Sequence, residues 1–322
     1  MQSEIRIGYY EEWMKPQVAG LFEQEYKTNK GDFEVFFSKF YEHVFQKNKC
    51  IRIVALDQDK VVGFQSFFYW PYVFKGKVFS SYQSGNSLVH PEYRGKGLFK
   101  LMLNFIYTDD KKNEIDFLMG FPVEASYPSF IKNGWLNILN LRWSVKLINP
   151  FAFLFSINTV EKRFLQTYTP TISQPIDFIK LSEDSNYTGW RKNYSTDKII
   201  CFVVKENGHE LCFHLKVNKR SRFIHELIIG NITSTAYDEG FLSFCFTKLI
   251  KEVRKSIAIS ILSIAVNEHL KDESLLHVLS GKKFKFINKQ IHFIIKPIKE
   301  NSVELINDPK NWMLLRGDID TW

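Results

Sequence analysis

Arg94, Gly95, Lys96 and Gly97 stand between an apolar, strand-like run that ends at His90-Pro91 and an apolar run over residues 98–107 with helical spacing. A strand that turns through two glycines into a helix leaves the first amide N–H groups of that helix without partners. The positive end of the helix dipole lies behind them, and together they make a site for a phosphate. Gly95 and Gly97 let a ligand approach the backbone with no Cβ in the way, while Arg94, Lys96 and Lys100 add positive charge around the same turn. His90 reads either as a cap of the turn or as a candidate base.

The string V-x-P-x-x-R-G-K-G over residues 89–97 resembles the acyl-CoA pyrophosphate loop of the GNAT N-acetyltransferase superfamily, whose core is R/Q-x-x-G-x-G/A. Arg94 and Gly97 match that core. Phe99 takes its final small position, so its ring either turns away from the donor or narrows the pocket. The resemblance implies acetyl-CoA, or another acyl-CoA, as co-substrate, held by Leu88, Val89, His90, Arg94, Gly95, Lys96, Gly97, Leu98 and Phe99. In that family the strand before the loop splays from its neighbour and pairs with the pantetheine amides. A backbone N–H near Leu88 would then serve the oxyanion of the transition state.

Phe121-Pro122, Ser126-Tyr127, Phe130 and Gly134-Trp135 resemble the second signature of the family, a helix that ends in Y-x-x-x-G-F. This implies that Ser126 lies against the pantetheine. The family's tyrosine, which protonates the leaving thiolate, is replaced by Phe130. Tyr127, one helical turn earlier and close to the same face, is the candidate acid. The alternatives are that Tyr127 only packs, or that the thiolate takes its proton from water. No carboxylate lies on residues 77–89, so Glu124 and His90 are the candidate bases, with Asp318 and Asp320 as outsiders. Direct transfer to an amine requires such a base near neutral pKa.

At 322 residues the chain is long enough for two domains, each with its own core. Hydrophobic residues at 45% and charged residues at 24% exclude a largely disordered protein. The net charge of +8 suits an anionic ligand such as CoA, and the absence of one long basic tract argues against nucleic acid. The four cysteines, Cys50, Cys201, Cys212 and Cys245, show no C-x-x-C spacing, so neither a disulfide framework nor a metal is expected. No basic-then-apolar leader opens the chain, and the apolar patch at residues 150–160 is too short to span a bilayer. The expected location is the cytoplasm, and the oligomeric state stays open between monomer and homodimer.

The elements that must position these groups follow from periodicity. Residues 5–9 read as a strand, 11–26 and 33–45 as helices, and 50–55, 61–70 and 77–89 as strands, with Gly63 marking a bulge. The loop helix over 98–107, a strand over 115–121, a helix over 124–132 stopped at Gly134, and a strand over 135–147 complete the first half. Residues 150–168 read as a connecting amphipathic helix and 169–193 as a linker with a short helix around Trp190-Arg191. The pattern then repeats: strands at 199–205, 211–217 and 223–229 with a hairpin turn at Asn207-Gly208, a helix at 238–253, a strand at 257–266, a helix at 272–280 and a strand at 291–298. The fold class expected is α/β (α+β), two tandem GNAT-like folds with a mixed, largely antiparallel sheet flanked by helices. The boundaries are 1–149 for the half with the acyl-CoA loop, 150–195 for the connection and 196–322 for a degenerate copy that lacks R-x-x-G-x-G/A.

The tail ends Arg316-Gly317-Asp318-Ile319-Asp320-Thr321-Trp322 and resembles the ends of two-lobed GNAT-like proteins of bacterial surface-polysaccharide and amino-sugar biosynthesis. Asp318, Asp320 and Trp322 suit a sugar acceptor, through carboxylates for its hydroxyls and an indole for its ring face. The leading expectation is an acetyltransferase acting on a small amine, with an amino sugar or sugar nucleotide as the expected class. The alternatives are a non-catalytic acyl-CoA or glycan binder and a tRNA-dependent aminoacyltransferase.

Overall fold

The computed structural model describes residues 5–108, 110–157, 177–182, 184–195, 198–300 and 303–321. Fourteen strands are assigned: β1 Ile5–Tyr9, β2 Ile51–Asp57, β3 Lys60–Tyr69, β4 Tyr72–Phe74, β5 Lys77–Phe79, β6 Ser81–Val89, β7 Phe117–Gly120, β8 Leu136–Leu147, β9 Lys180–Leu181, β10 Ile200–Glu206, β11 His209–Ser221, β12 Ile224–Ser234, β13 Ile261–Asn267 and β14 Lys285–Pro297. The α-helices are α1 Lys15–Tyr26, α2 Asp32–Tyr41, α3 Leu98–Phe105, α4 Tyr127–Lys132, α5 Ser185–Tyr194, α6 Glu239–Arg254, α7 Ser274–Gly281 and α8 Val303–Asn307. Boundaries follow local chemistry. Asn207 and Gly208, both at positive φ, make the tight turn of the β10–β11 hairpin. Gly134, at φ +76°, stops α4, and Asp238 caps α6 by accepting from the Phe241 N–H at 2.9 Å.

Eleven strands form one sheet in the order β1-β2-β3-β6-β7-β14-β8-β13-β12-β11-β10. The fold is the expected mixed, mostly antiparallel sheet flanked by helices. Among the described strands of this sheet, only β6–β7 and β12–β13 pair in parallel, at equivalent places in the two repeats. The last strands of the repeats cross over: β8 pairs with β13, and β14 lies between β7 and β8. One side of the first repeat is covered by α1 and α2, over Phe22, Phe37, Phe64, Phe68 and Phe293. The other side is covered by α3 and α4, over Ile53, Val62, Met102, Leu118, Phe130 and Ile294. In the second repeat α6 and α7 bury Phe213, Phe246, Leu249 and Ile264.

Three expectations change. Residues 77–89 are two strands rather than one, because Asp116 takes the Ser80 N–H at 2.7 Å and Ser81 Oγ donates to the Trp70 carbonyl at 2.6 Å. β4 and β5 then form a separate small sheet with β9. The helix expected from residue 124 starts at Tyr127, after a turn closed by Ser126 and Tyr127 N–H groups on the Val123 carbonyl. Within the helix expected over 150–168, the described part holds only a 3-10 turn, Ala152–Leu154, which ends as Phe155 turns to extended backbone. The remainder of that helix lies outside the described residues, as does Trp322.

Candidate active site

β6 holds β7 through only three register pairs, Ser81↔Phe117, Tyr82↔Leu118 and Gln83↔Met119. From Ser84 to Val89 it pairs with β3 alone, so a wedge opens in the middle of the sheet. Within this stretch Asn86 adopts φ +49°, and the register with β3 shifts between Phe64 and Ser66. This is a β-bulge, a feature that bends a strand away from its neighbour. A buried polar network pins it. Asn86 Nδ2 donates to Tyr41 Oη at 2.7 Å, Ser66 Oγ donates to the Gly85 carbonyl at 2.8 Å, and Gln65 Nε2 donates to Ser84 Oγ at 3.0 Å. Such a network is costly to break because Gln65, Ser66, Ser84 and Tyr41 would be left buried and unpaired. None of Gln65, Ser66 or Asn86 is marked by a motif in the sequence.

At the open end of the wedge the chain makes a 3-10 turn, Pro91–Tyr93, and enters α3 through Gly95 and Gly97, each at φ +78°. The left-handed backbone itself favours glycine at both positions. A Cβ built at either glycine would meet no atom within 4 Å, so the turn faces open space. His90 Nδ1 accepts from the Glu92 N–H at 3.4 Å and caps the turn. Arg94 does not point into the turn: its Nε donates to the Val89 carbonyl at 3.0 Å and its guanidinium pairs with Glu25 at 2.7 Å. It ties the loop to the strand end and to α1. The Lys96 ammonium lies 4.6 Å from the Tyr93 ring centroid, and Lys100 is exposed. Leu98 is buried in the core beneath α3, and Phe99 packs edge-on against Phe130, with centroids 5.3 Å apart.

On the α4 side, Tyr127 stacks on His292, with centroids 4.1 Å apart and planes 19° apart. His292 is carried by β14, from the other repeat. Its Nε2 meets Glu124 Oε1 at 3.1 Å and its Nδ1 meets Asn140 Oδ1 at 2.9 Å. Glu124 is thus engaged by His292 while remaining largely exposed. Ser126, the N-cap of α4, donates its Oγ hydrogen to the Val123 carbonyl at 3.2 Å. The crossover of β14 brings His292 here, and no local pattern in the sequence announces it.

The opposite side of the wedge is closed by the C-terminal tail. Asp318 is buried, and its carboxylate accepts the Leu315 N–H at 2.6 Å, closing the tail's own turn. Asp318 therefore holds the tail in place, while its carbonyl accepts from Trp70 Nε1 at 3.0 Å. Asp320 is half-buried. Its Oδ2 lies 3.7 Å from the point where a Cβ on Gly85 would sit, at the vertex of the wedge. Burial raises the Asp320 pKa above the usual aspartate range, against the Gln83 hydrogen bond and the positive charges of Arg191 and Arg316. Gln83 must turn its amide N–H toward the carboxylate, and its Oε1 is buried with no partner among the described residues. The vertex therefore offers one partly exposed acceptor, the Asp320 carboxylate, backed by the buried Gln83 amide.

The second repeat has the same parallel pair but no open wedge. β12 and β13 pair as far as Ile229↔Ile264. Beyond that, Leu315 bridges Val266, and a Cβ on Gly317 would come within 2.6 Å of the Gly230 carbonyl oxygen. The tail fills the gap that stays open in the first repeat.

Residues 7–136 match the acetyltransferase (GNAT) domain family. No curated protein matches the chain in sequence. Among solved structures, a GCN5-related N-acetyltransferase from Anabaena variabilis is similar with a TM-score of 0.63 at 13% identity, over 92% of this chain and 73% of that one. A probable N-acyltransferase from Enterococcus faecalis V583 gives a TM-score of 0.64 at 10% identity, over 93% and 74%. Saccharomyces cerevisiae N-myristoyltransferase with bound myristoyl-CoA gives 0.51 at 12% identity, over 92% and 78%. At such identities the likeness to these structures is one of fold.

Proposed function

We propose that this chain, which carries a GNAT-type acetyltransferase domain, transfers an acyl group from acyl-CoA, in the first instance acetyl-CoA, to a small amine. The observation that carries the reading is the wedge itself: an open strand edge leads to a glycine turn at a helix N-terminus on one side and to a half-buried carboxylate on the other. The CoA diphosphate would lie on the N–H groups of residues 95–99. The pantetheine would follow residues 84–89, with Ser126 and Tyr127 on its far wall.

The amine would lie at the vertex, against the tail. Asp320 takes a proton from the ammonium, and the buried Gln83 amide holds that carboxylate in place. The amine lone pair forms the C–N bond to the thioester carbon, and the oxyanion is met by the backbone N–H near Leu88. The C–S bond then breaks, and the thiolate takes its proton from Tyr127 or from water. Glu124 is the weaker base for this step, since it lies on the α4 side and faces His292. A base whose pKa is raised toward neutrality suits proton transfer at physiological pH better than an ordinary aspartate.

An amino sugar or sugar nucleotide is the acceptor class we favour, on the polar lining that Asp320 and Asn86 give the vertex. The test is release of free CoA thiol when candidate amines are added to protein and acetyl-CoA. Release with an amino sugar supports both the reaction and the acceptor, and release with other amines only supports the reaction alone. No release with any amine, despite donor binding, would favour the non-catalytic alternative suggested by Phe130.

A further inference from the structure

The absence of C-x-x-C spacing describes only residues that are neighbours along the chain. In the β10–β11 hairpin, Cys201 is directly opposite His214, and Cys212 lies two residues before His214 on the same face of β11. The ligand atoms of Cys201, Cys212 and His214 all lie within 4.8 Å of one another. Cys201 Sγ and His214 Nδ1 are 3.9 Å apart. A tetrahedral zinc ion, with Zn–S of about 2.3 Å and Zn–N of about 2.0–2.1 Å, places such atoms roughly 3.5–3.8 Å apart. Small side-chain rotations close the difference.

A second observation concerns the ring of His214. Its Nε2 meets Thr233 Oγ1 on β12 at 3.0 Å. A metal-binding imidazole characteristically gives its other N–H to an oxygen, which fixes the tautomer and aims the lone pair at the ion. With Nε2–H on Thr233, the lone pair of Nδ1 faces Cys201. Cys212 is buried, and Cys201 and His214 are half-buried, so the site is shielded yet reachable. The face they share is opposite the one that packs Phe213 on Phe246 of α6, and β10 is the last strand of the sheet.

We propose that Cys201, Cys212 and His214 bind one zinc ion, with water as the fourth ligand, and so clip the edge strand β10 to β11. Two thiolates and one imidazole are soft and borderline donors that suit zinc over calcium or magnesium.

The test uses the full chain, stripped with chelator and titrated with Zn2+ by calorimetry, then with Co2+ by absorption spectroscopy. One ion per chain is expected, with a sulfur-to-cobalt charge-transfer band and tetrahedral d–d bands. Cys201→Ser should lose the charge-transfer intensity of one thiolate and bind at least about tenfold more weakly. Thr233→Val, which leaves all three ligands in place, should weaken binding about 10–100-fold. Cys50→Ser should change nothing. Metal-free circular dichroism of each variant separates lost binding from lost folding. No zinc uptake, or uptake unchanged in Cys201→Ser and in His214→Gln, would overturn the proposal. So would a cobalt spectrum without the sulfur band.

Discussion

Replacing Asp320 by Asn keeps the shape and the hydrogen-bonding reach of the side chain but removes its capacity to accept a proton. General base catalysis contributes typically 10²–10⁴-fold, so kcat should fall by about that factor with the donor affinity unchanged. Burial raises the Asp320 pKa in the folded protein, and the sign of its effect on stability follows. Between the unfolded value of about 3.9 and the raised folded value, the folded state binds the proton more tightly. Stability from this group is therefore complete below the unfolded value and is lost as pH rises through the folded one. At neutral pH the ionised carboxylate is a burden that the amide lacks. Asp320→Asn should melt at the same temperature as the parent or higher at pH 7, while losing turnover. The parent's kcat/KM should rise with pH along a limb above the ordinary aspartate range, and the variant should lack that limb. Thiol release across pH, paired with thermal unfolding at pH 7, measures both. Near-full turnover in the variant would refute the role, and a large loss of Tm would show instead that Asp320 holds the tail.

Gly97→Ala forces an L-residue into φ +78°. The left-handed cost of roughly 1–2 kcal/mol corresponds to an acetyl-CoA affinity about 5–30-fold weaker by calorimetry, whereas Gly97→Asn, which tolerates that region, should lose much less. His292→Ala removes the ring on which Tyr127 stacks; turnover should fall while donor affinity holds, and a matching fall in Tyr127→Phe with no further loss in the double variant would show that the two act together. Gly317→Ala places a Cβ within 2.6 Å of the Gly230 carbonyl oxygen. It should cost about 1–3 kcal/mol of stability and lower turnover by shifting Asp320, as read by unfolding and thiol release.

Where the fold was legible in the sequence, the signal was local. The helical spacing of Phe36 and Phe40, the Asn207-Gly208 hairpin and the Gly134 stop all record interactions between residues near in the chain, and the elements stand where those signals put them, although Val35 and Val44, read with the same helix, are exposed. The glycine turn was legible for the same reason, since positive φ at Gly95 and Gly97 is a local demand. What local signals cannot carry is the partner of a strand. A period-2 pattern marks β14 as a strand but does not say that it lies between β7 and β8, and so His292 stays hidden. The tail shows the same limit: Asp318 and Asp320 look alike in sequence, yet one caps Leu315 and the other meets Gly85. Arg94 resembles a phosphate ligand by position, but Glu25 from α1 holds its guanidinium. Cys201 and Cys212 lack a motif because their proximity is created across a hairpin.

The most direct measurement is a crystal structure of the protein grown with CoA. Diphosphate oxygens are expected within about 2.7–3.2 Å of the N–H groups of residues 95–99, with the pantetheine arm along residues 84–89 of β6. A coenzyme bound elsewhere, or a wedge closed to it by the rings of Phe99 and Phe130, would rule out the acyl-CoA site.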